Sequence, residues 1–100
     1  MSNRQLTERQ REALRWCVAL RSGRYKQCRG VTRVGDQVCA VSAYYAEINE
    51  KDDWYYLTKA DAIFGTILVC QVIKMNDRDG LTFDQIADHI EQEVFVNVNV

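Results

Sequence analysis

One hundred residues, 47% hydrophobic and 27% charged, suffice for a single modest core that buries roughly two thirds of the unfolded surface. The absence of proline and of any repeat or low-complexity tract gives no linker, so one domain over residues 1–100 is expected. A net charge of −1 hides a division: residues 1–35 carry nine Lys or Arg against two Glu, and residues 36–100 carry four against twelve acids, which implies internal complementarity, head-to-tail association or an acidic partner.

The first thirty residues lack the basic, apolar and small-residue succession of a signal peptide, so a cytoplasmic protein is expected. Thr7 and Gln10 form a capping box, and Ala13, Leu14, Cys17, Val18 and Leu20 come after it at helical spacing until Gly23. They predict a helix over 8–22, with Arg9, Glu12, Arg15 and Arg21 outward and Trp16 at the edge of the buried stripe. From Gln27 to Val38, β-branched residues flank Gly35-Asp36, which predicts a hairpin turned at that pair. The alanine-rich stretch after Cys39, with Val41, Tyr44, Tyr45 and Ile48 at three-to-four spacing, predicts a short helix, and residues 50–57 a loop.

Thr58 and Asp61 open a third predicted helix, apolar on almost every side through Val72, which is expected to be the centre of the core. The apolar run from Ala60 to Ile73 is interrupted by Asp61 and Gln71 and falls short of the ~20 residues that span a bilayer; no membrane association is expected. Gly80 closes the "NDRDG" turn, Thr82 caps through Gln85, and Phe83, Ile86, Ala87 and Ile90 define an amphipathic last helix. The tail "VFVNVNV" alternates with period two and predicts a strand over 94–100. Such a strand needs a sheet to join, either the hairpin or a second copy of the chain, hence a homodimer. The fold class is α+β, mostly helical, with a small hairpin and a C-terminal strand.

Several chemistries compete. "MNDRDGLTFDQIADHIEQE" looks like half a helix-turn-helix, but the residues after it are strand-like, and its own end is acidic, so a basic reading helix is missing. The basic first third, through Arg9, Arg15, Arg24 and Lys26, can still bind a nucleic-acid backbone. With Gly80 at loop position six, an EF-hand would need ligands where Met75 and Ile86 stand. The expected role of Asn76 and Asp77 is an Asx-type turn that bonds nearby backbone amides. Four dispersed cysteines without a C-x-x-C pair, and a single histidine, argue against zinc; buried reduced thiols, no metal and no cofactor are expected. Cys39, at a strand-to-helix transition, is the one candidate nucleophile, with His89 as its sole conceivable histidine base. No phosphate-loop, dinucleotide, serine-hydrolase or zincin motif occurs. Tyr44, Tyr45, Trp54, Tyr55 and Tyr56 surround a charged loop and could anchor a protein partner, though core packing is the commoner role for such a set.

Two segments, "ALRSGRYKQCRGVTRVGDQVCAVSAYY" (19–45) and "MNDRDGLTFDQIADHIE" (75–91), together resemble a group of small uncharacterised proteins of tailed phages, prophages and some bacteria. Those proteins share S-G-x-Y-x-Q, a cysteine followed by small residues, and N-D-x-x-G-x-[ST]-F-x-x-I-A-D-x-I-E. Ser22, Gly23, Tyr25, Gln27, Gly30, Cys39, Asn76, Asp77, Gly80, Phe83, Ile86, Ala87 and Asp88 match; Val41-Ser42 stands where the group usually has leucine and glycine. The resemblance implies a phage protein in a bacterial host cytoplasm and no particular activity. The expected function is therefore a non-enzymatic interaction protein that binds and modulates a host protein. The alternatives are a nucleic-acid-binding accessory protein and a Cys-His hydrolase.

Overall fold

The computed structural model describes residues 6–48 and 56–96, and of residues 56–58 the backbone alone. Helix α1, Glu8–Arg21, starts where its sequence directs: Thr7 Oγ1 accepts from the Gln10 amide and Gln10 Oε1 accepts from the Thr7 amide, both at 3.1 Å. This reciprocal pair satisfies amides that the first turn leaves without intrahelical partners. The buried face is Ala13, Trp16, Cys17, Ala19 and Leu20, while Leu14 and Val18 are exposed. The expected stripe is thus rotated: Trp16 is fully buried, and its large ring outweighs the two aliphatic side chains it displaces to the surface.

Next in the chain is a three-stranded sheet of two-residue strands, β1 Lys26–Gln27, β2 Arg33–Val34 and β3 Gln37–Val38, in the order β1-β3-β2. The predicted hairpin is present, with Arg33 facing Val38 and Val34 facing Gln37 across Gly35-Asp36. Strand β1 pairs parallel to β3; two residues are too few to show a period in the sequence.

Helix α2, Ala40–Glu47, is capped by Cys39, and every side chain from Ala40 to Tyr45 is buried. This short helix, not the third, is the most enclosed. The expected third helix is two helices, α3 Tyr56–Phe64 and α4 Thr66–Asp77, separated by Gly65 at φ +92. An L residue is strained at that φ, and glycine is not. The break turns Ile67 outward, to 77% exposure, while Leu68, Val69 and Val72 stay in the core. The predicted loop runs into the start of α3, and residues 50–55 lie outside those described.

Helix α5, Phe83–Glu91, has a second capping box between Thr82 and Gln85 and buries Phe83, Ile86, Ala87 and Ile90, as expected. The terminal strand is not formed where it is described: α5 widens into a π-helical turn over Gln92–Val96, with Val94 buried and Val96 61% exposed. In a strand these two would share a face; helical continuation separates them and removes this part of the argument for a strand-paired homodimer. Residues 97–100 lie outside those described. The result is a mostly helical α+β fold with one apolar core, in which α1 packs on both α5 and α2. Among the described residues no helix is long and apolar enough to cross a membrane.

The division of charge closes in part within the fold. Arg21 bonds Asp88 at 2.7 Å and Glu91 at 3.0 Å, Arg24 bonds Glu47 at 2.7 Å, and Lys26 lies 3.6 Å from Asp36.

Burial gives the core a predictable response to alkali. The Cys17 thiol, donating to Ala87 O at 3.4 Å, is pushed by burial up to about 11 from 9.0. Burial and then the Glu12 carboxylate, 2.7 Å from its hydroxyl, raise Tyr44 above its usual 10.0. Both groups keep their protons longer folded than unfolded. The contribution of Cys17 is therefore complete below pH 9 and is lost as pH rises toward 11, since the unfolded chain deprotonates first; that of Tyr44 begins to fall only above its usual 10.0 and continues falling at higher pH. The urea midpoint is expected to fall across this window and to fall less steeply in Cys17→Ala. A midpoint that is level from about pH 8.5 to 11 would contradict the burial argument.

Candidate functional site

Gln27, Cys28, Ala40 and Asp77 converge on one buried amide. Asn76, in the last turn of α4, is 1% exposed. Its Oδ1 accepts from Gln27 Nε2 at 2.9 Å and from the Ala40 amide at 3.2 Å, and its Nδ2 donates to Cys28 O and Asp77 Oδ1, both at 2.8 Å. A primary amide has two donors and two acceptor sites, and all four are used.

The position of this amide is explained by the parallel ladder. The Cys28 amide donates to Val38 O at 2.9 Å, so the next rung of a β1-β3 ladder would run from the Ala40 amide to Cys28 O. Asn76 takes that rung by inserting its side-chain amide between the two groups, where the strands part and α2 begins. It thereby ties β1, the start of α2 and the end of α4 into one unit.

Asp77 extends the tie to the loop between β1 and β2. Its Oδ1 accepts from the Gly30 amide at 2.9 Å, while Leu81 O accepts from Gln27 Nε2 and Arg29 Nη2, each at 2.9 Å. The sequence predicts that Asn76 and Asp77 bond backbone amides nearby in the chain; their backbone partners are instead 36 to 48 residues away. Along this loop Val31 is 49% exposed and Val34, at the hairpin, 54%, with the exposed Arg29 and Arg33 alongside. A cavity of about 200 Å³ opens beneath, lined by Val31, Thr32, Cys39, Val41, Asn76 and Asp77 among others.

Other candidate residues are placed differently. Tyr44 and Tyr45 are core residues: Tyr44 stacks among Trp16 and Phe64, and the Tyr45 hydroxyl accepts from the Ala60 amide at 2.9 Å. Neither presents a face to a partner, because the alanine-rich start of α2 is buried on all sides. Trp54, Tyr55 and the Tyr56 side chain lie outside the described residues. Cys39 caps α2, its sulfur 3.4 Å from the Ser42 amide and 3.6 Å from Ser42 Oγ, whereas His89 Nε2 meets Gln71 Oε1 at 2.9 Å; these hydrogen bonds engage the two side chains with different residues. Of the basic set, Arg15 lies 4.0 Å from Glu12, Arg24 and Lys26 pair with Glu47 and Asp36, and Arg9 is exposed on the rim of a shallow groove that Glu93 also lines. Among the described residues no three His, Cys, Asp or Glu side chains gather as metal ligands. No family model, curated protein or solved structure matches this chain.

Proposed function

We propose that this chain is a non-enzymatic interaction protein of the tailed-phage type, binding and modulating a host protein in the bacterial cytoplasm through the loop and hairpin around Val31 and Val34. The observation that carries this reading is two half-exposed valines on fixed backbone: Val31 follows Cys28 and Gly30, which Asn76 and Asp77 hold from another part of the chain, and Val34 is paired in the hairpin. A loop already held in one conformation loses little entropy on binding, and apolar side chains on such a loop supply contact area. The partner surface that fits is an apolar patch with a carboxylate at its rim for the exposed Arg29.

The nucleic-acid alternative has less support. Three of its four basic side chains already face acids of the same chain, which leaves little net positive field for phosphates.

The test compares tagged wild type with Val31→Asp/Val34→Asp in captures from nuclease-treated bacterial lysate washed at high salt. A host protein is expected to be retained by wild type alone and, once purified, to bind the variant at least about tenfold more weakly, as loss of an apolar anchor predicts. Equal retention by both proteins would place the surface elsewhere. Retention only of nucleic acid, lost at high salt, would overturn the reading in favour of the alternative.

A further inference from the structure

Cys28 and Cys39 are brought together by the sheet. The parallel register sets Lys26 against Gln37 and Gln27 against Val38; one residue further it sets Cys28 against Cys39, and the bond from the Cys28 amide to Val38 O carries the ladder that far. Facing residues of parallel strands project to the same side, and paired strands run about 4.8 Å apart; the ladder holds up to the Cys28 amide and the strands part only at Ala40, so a modest widening at this pair stays within the range of roughly 4.4–6.8 Å between Cα atoms that a disulfide accepts. Both cysteines are buried, and neither is in a disulfide.

We propose that Cys28 and Cys39 form a peroxide-sensitive dithiol site, in which a hydroperoxide reaching the adjoining cavity oxidises Cys39 and Cys28 then closes a disulfide across the strands. Cys39 takes the first step because it lines the cavity, whose volume of about 200 Å³ is several times the ~30 Å³ share of one water molecule. Its sulfur also faces the Ser42 amide at the amino end of α2, the kind of donor that accompanies reactive cysteines. Cys28 is the resolving partner. Burial first, and Cys39 next, push its thiol up.

The chemistry balances in two steps. Cys39 sulfur attacks the peroxide oxygen, the O–O bond breaks, and the thiol proton leaves with the alcohol or water released, giving a sulfenic acid. Cys28 sulfur then attacks Cys39 sulfur; the hydroxide departs with the Cys28 proton as water, and the S–S bond forms. Two thiols are oxidised and one hydroperoxide is reduced. Asn76 holds the backbone on either side, through Cys28 O and the Ala40 amide, which keeps the two residues side by side; closing the bond turns the Cys28 sulfur away from Val31 O and the Cys39 sulfur away from Ser42. This site stands independently of the host-protein reading.

The four cysteines fall in four different tryptic peptides, Cys28 in residues 27–29 and Cys39 in residues 34–51, so linkage is read directly. Native full-length protein carrying Cys70→Ser, which removes the exposed thiol, is treated with hydrogen peroxide, alkylated, digested and weighed. The peptides 27–29 and 34–51 are expected to appear joined, at least about tenfold above untreated protein, and to separate under dithiothreitol. With Cys28→Ser added, the link should vanish and Cys39 should become trappable by dimedone as a sulfenic acid, in protein whose circular dichroism is unchanged. Persistence of both free thiols, Cys39 carried to a sulfinic acid while Cys28 is present, or linkage to Cys17 would each overturn the proposal.

Discussion

Asn76→Ala is expected to lower the thermal midpoint by roughly 10–30 °C, at about 4–8 °C per kcal/mol for a domain of this size. The truncation leaves Cys28 O and the Ala40 amide without the partner that now bridges them, and the Gln27 side chain without one of its acceptors. Each buried group so orphaned costs about 1–3 kcal/mol, against a total stability of only about 5–15 kcal/mol. Asn76→Asp separates the hydrogen bonds from the volume. A carboxylate still accepts from Ala40 but cannot donate to Cys28 O, and it sets a second negative charge beside Asp77. That variant should be weak at neutral pH and partly recovered in acid, where a protonated carboxyl regains a donor. Thermal melts from about pH 4 to 8 check both; a midpoint lowered by less than about 5 °C in Asn76→Ala would show that Cys28 O and Ala40 are satisfied without it.

The elements legible in the sequence are those specified by neighbours in the chain. Thr7 with Gln10, Thr82 with Gln85, Gly35-Asp36 and the Phe83, Ile86, Ala87, Ile90 stripe each act over a few residues, and each is found as read. The elements that differ are decided by tertiary packing. Helix α1 carries two overlapping apolar stripes, one through Leu14 and Val18 and one through Ala13, Trp16 and Cys17, and only docking on α2 and α5 selects the second. Apolar spacing runs unbroken across Gly65, and a glycine inside a helix is tolerated at about 1 kcal/mol, so nothing local divides α3 from α4. Val94 and Val96 alternate as strand residues do, yet α5 has already fixed a helical phase that places Val94 in the core.

The site is legible only in outline. Gln27, Gly30, Cys39, Asn76 and Asp77 stand out by resemblance, but nothing in one sequence says that the asparagine at position 76 completes a ladder between residues 28 and 40. A buried polar side chain has no period and no local partner; its signal is the demand of distant backbone groups for a bond. The same demand redirects the aromatic residues: Tyr44 and Tyr45 look like anchors beside a charged loop, but Glu12 and the Ala60 amide satisfy their hydroxyls inside the fold.

Ala40 is held from its other end as well, and this second grip makes Trp16 the other position of large effect. Trp16 Nε1 donates to Ala40 O at 2.8 Å, and the indole lies 4.7 Å from Phe64 and 5.7 Å from Tyr44, centroid to centroid. Trp16→Ala removes the largest buried side chain of α1 and is expected to destabilise by about 3–5 kcal/mol through lost burial and the cavity left behind. Trp16→Phe keeps much of the volume and removes the donor. Because Ala40 O can also serve the α2 ladder, that variant should lose only about 1 kcal/mol. Urea unfolding of the two variants thus separates packing from hydrogen bonding, and near-equal losses would mean that the bond, rather than the ring, holds α1 to α2. Combined with Asn76→Ala, Trp16→Phe should be less than additive. Both changes release the same residue, and once the amino end of α2 is free on one side the bond on the other restrains less. Strict additivity would instead show that α1 and α4 grip Ala40 independently, each holding the amino end of α2 whether or not the other is intact.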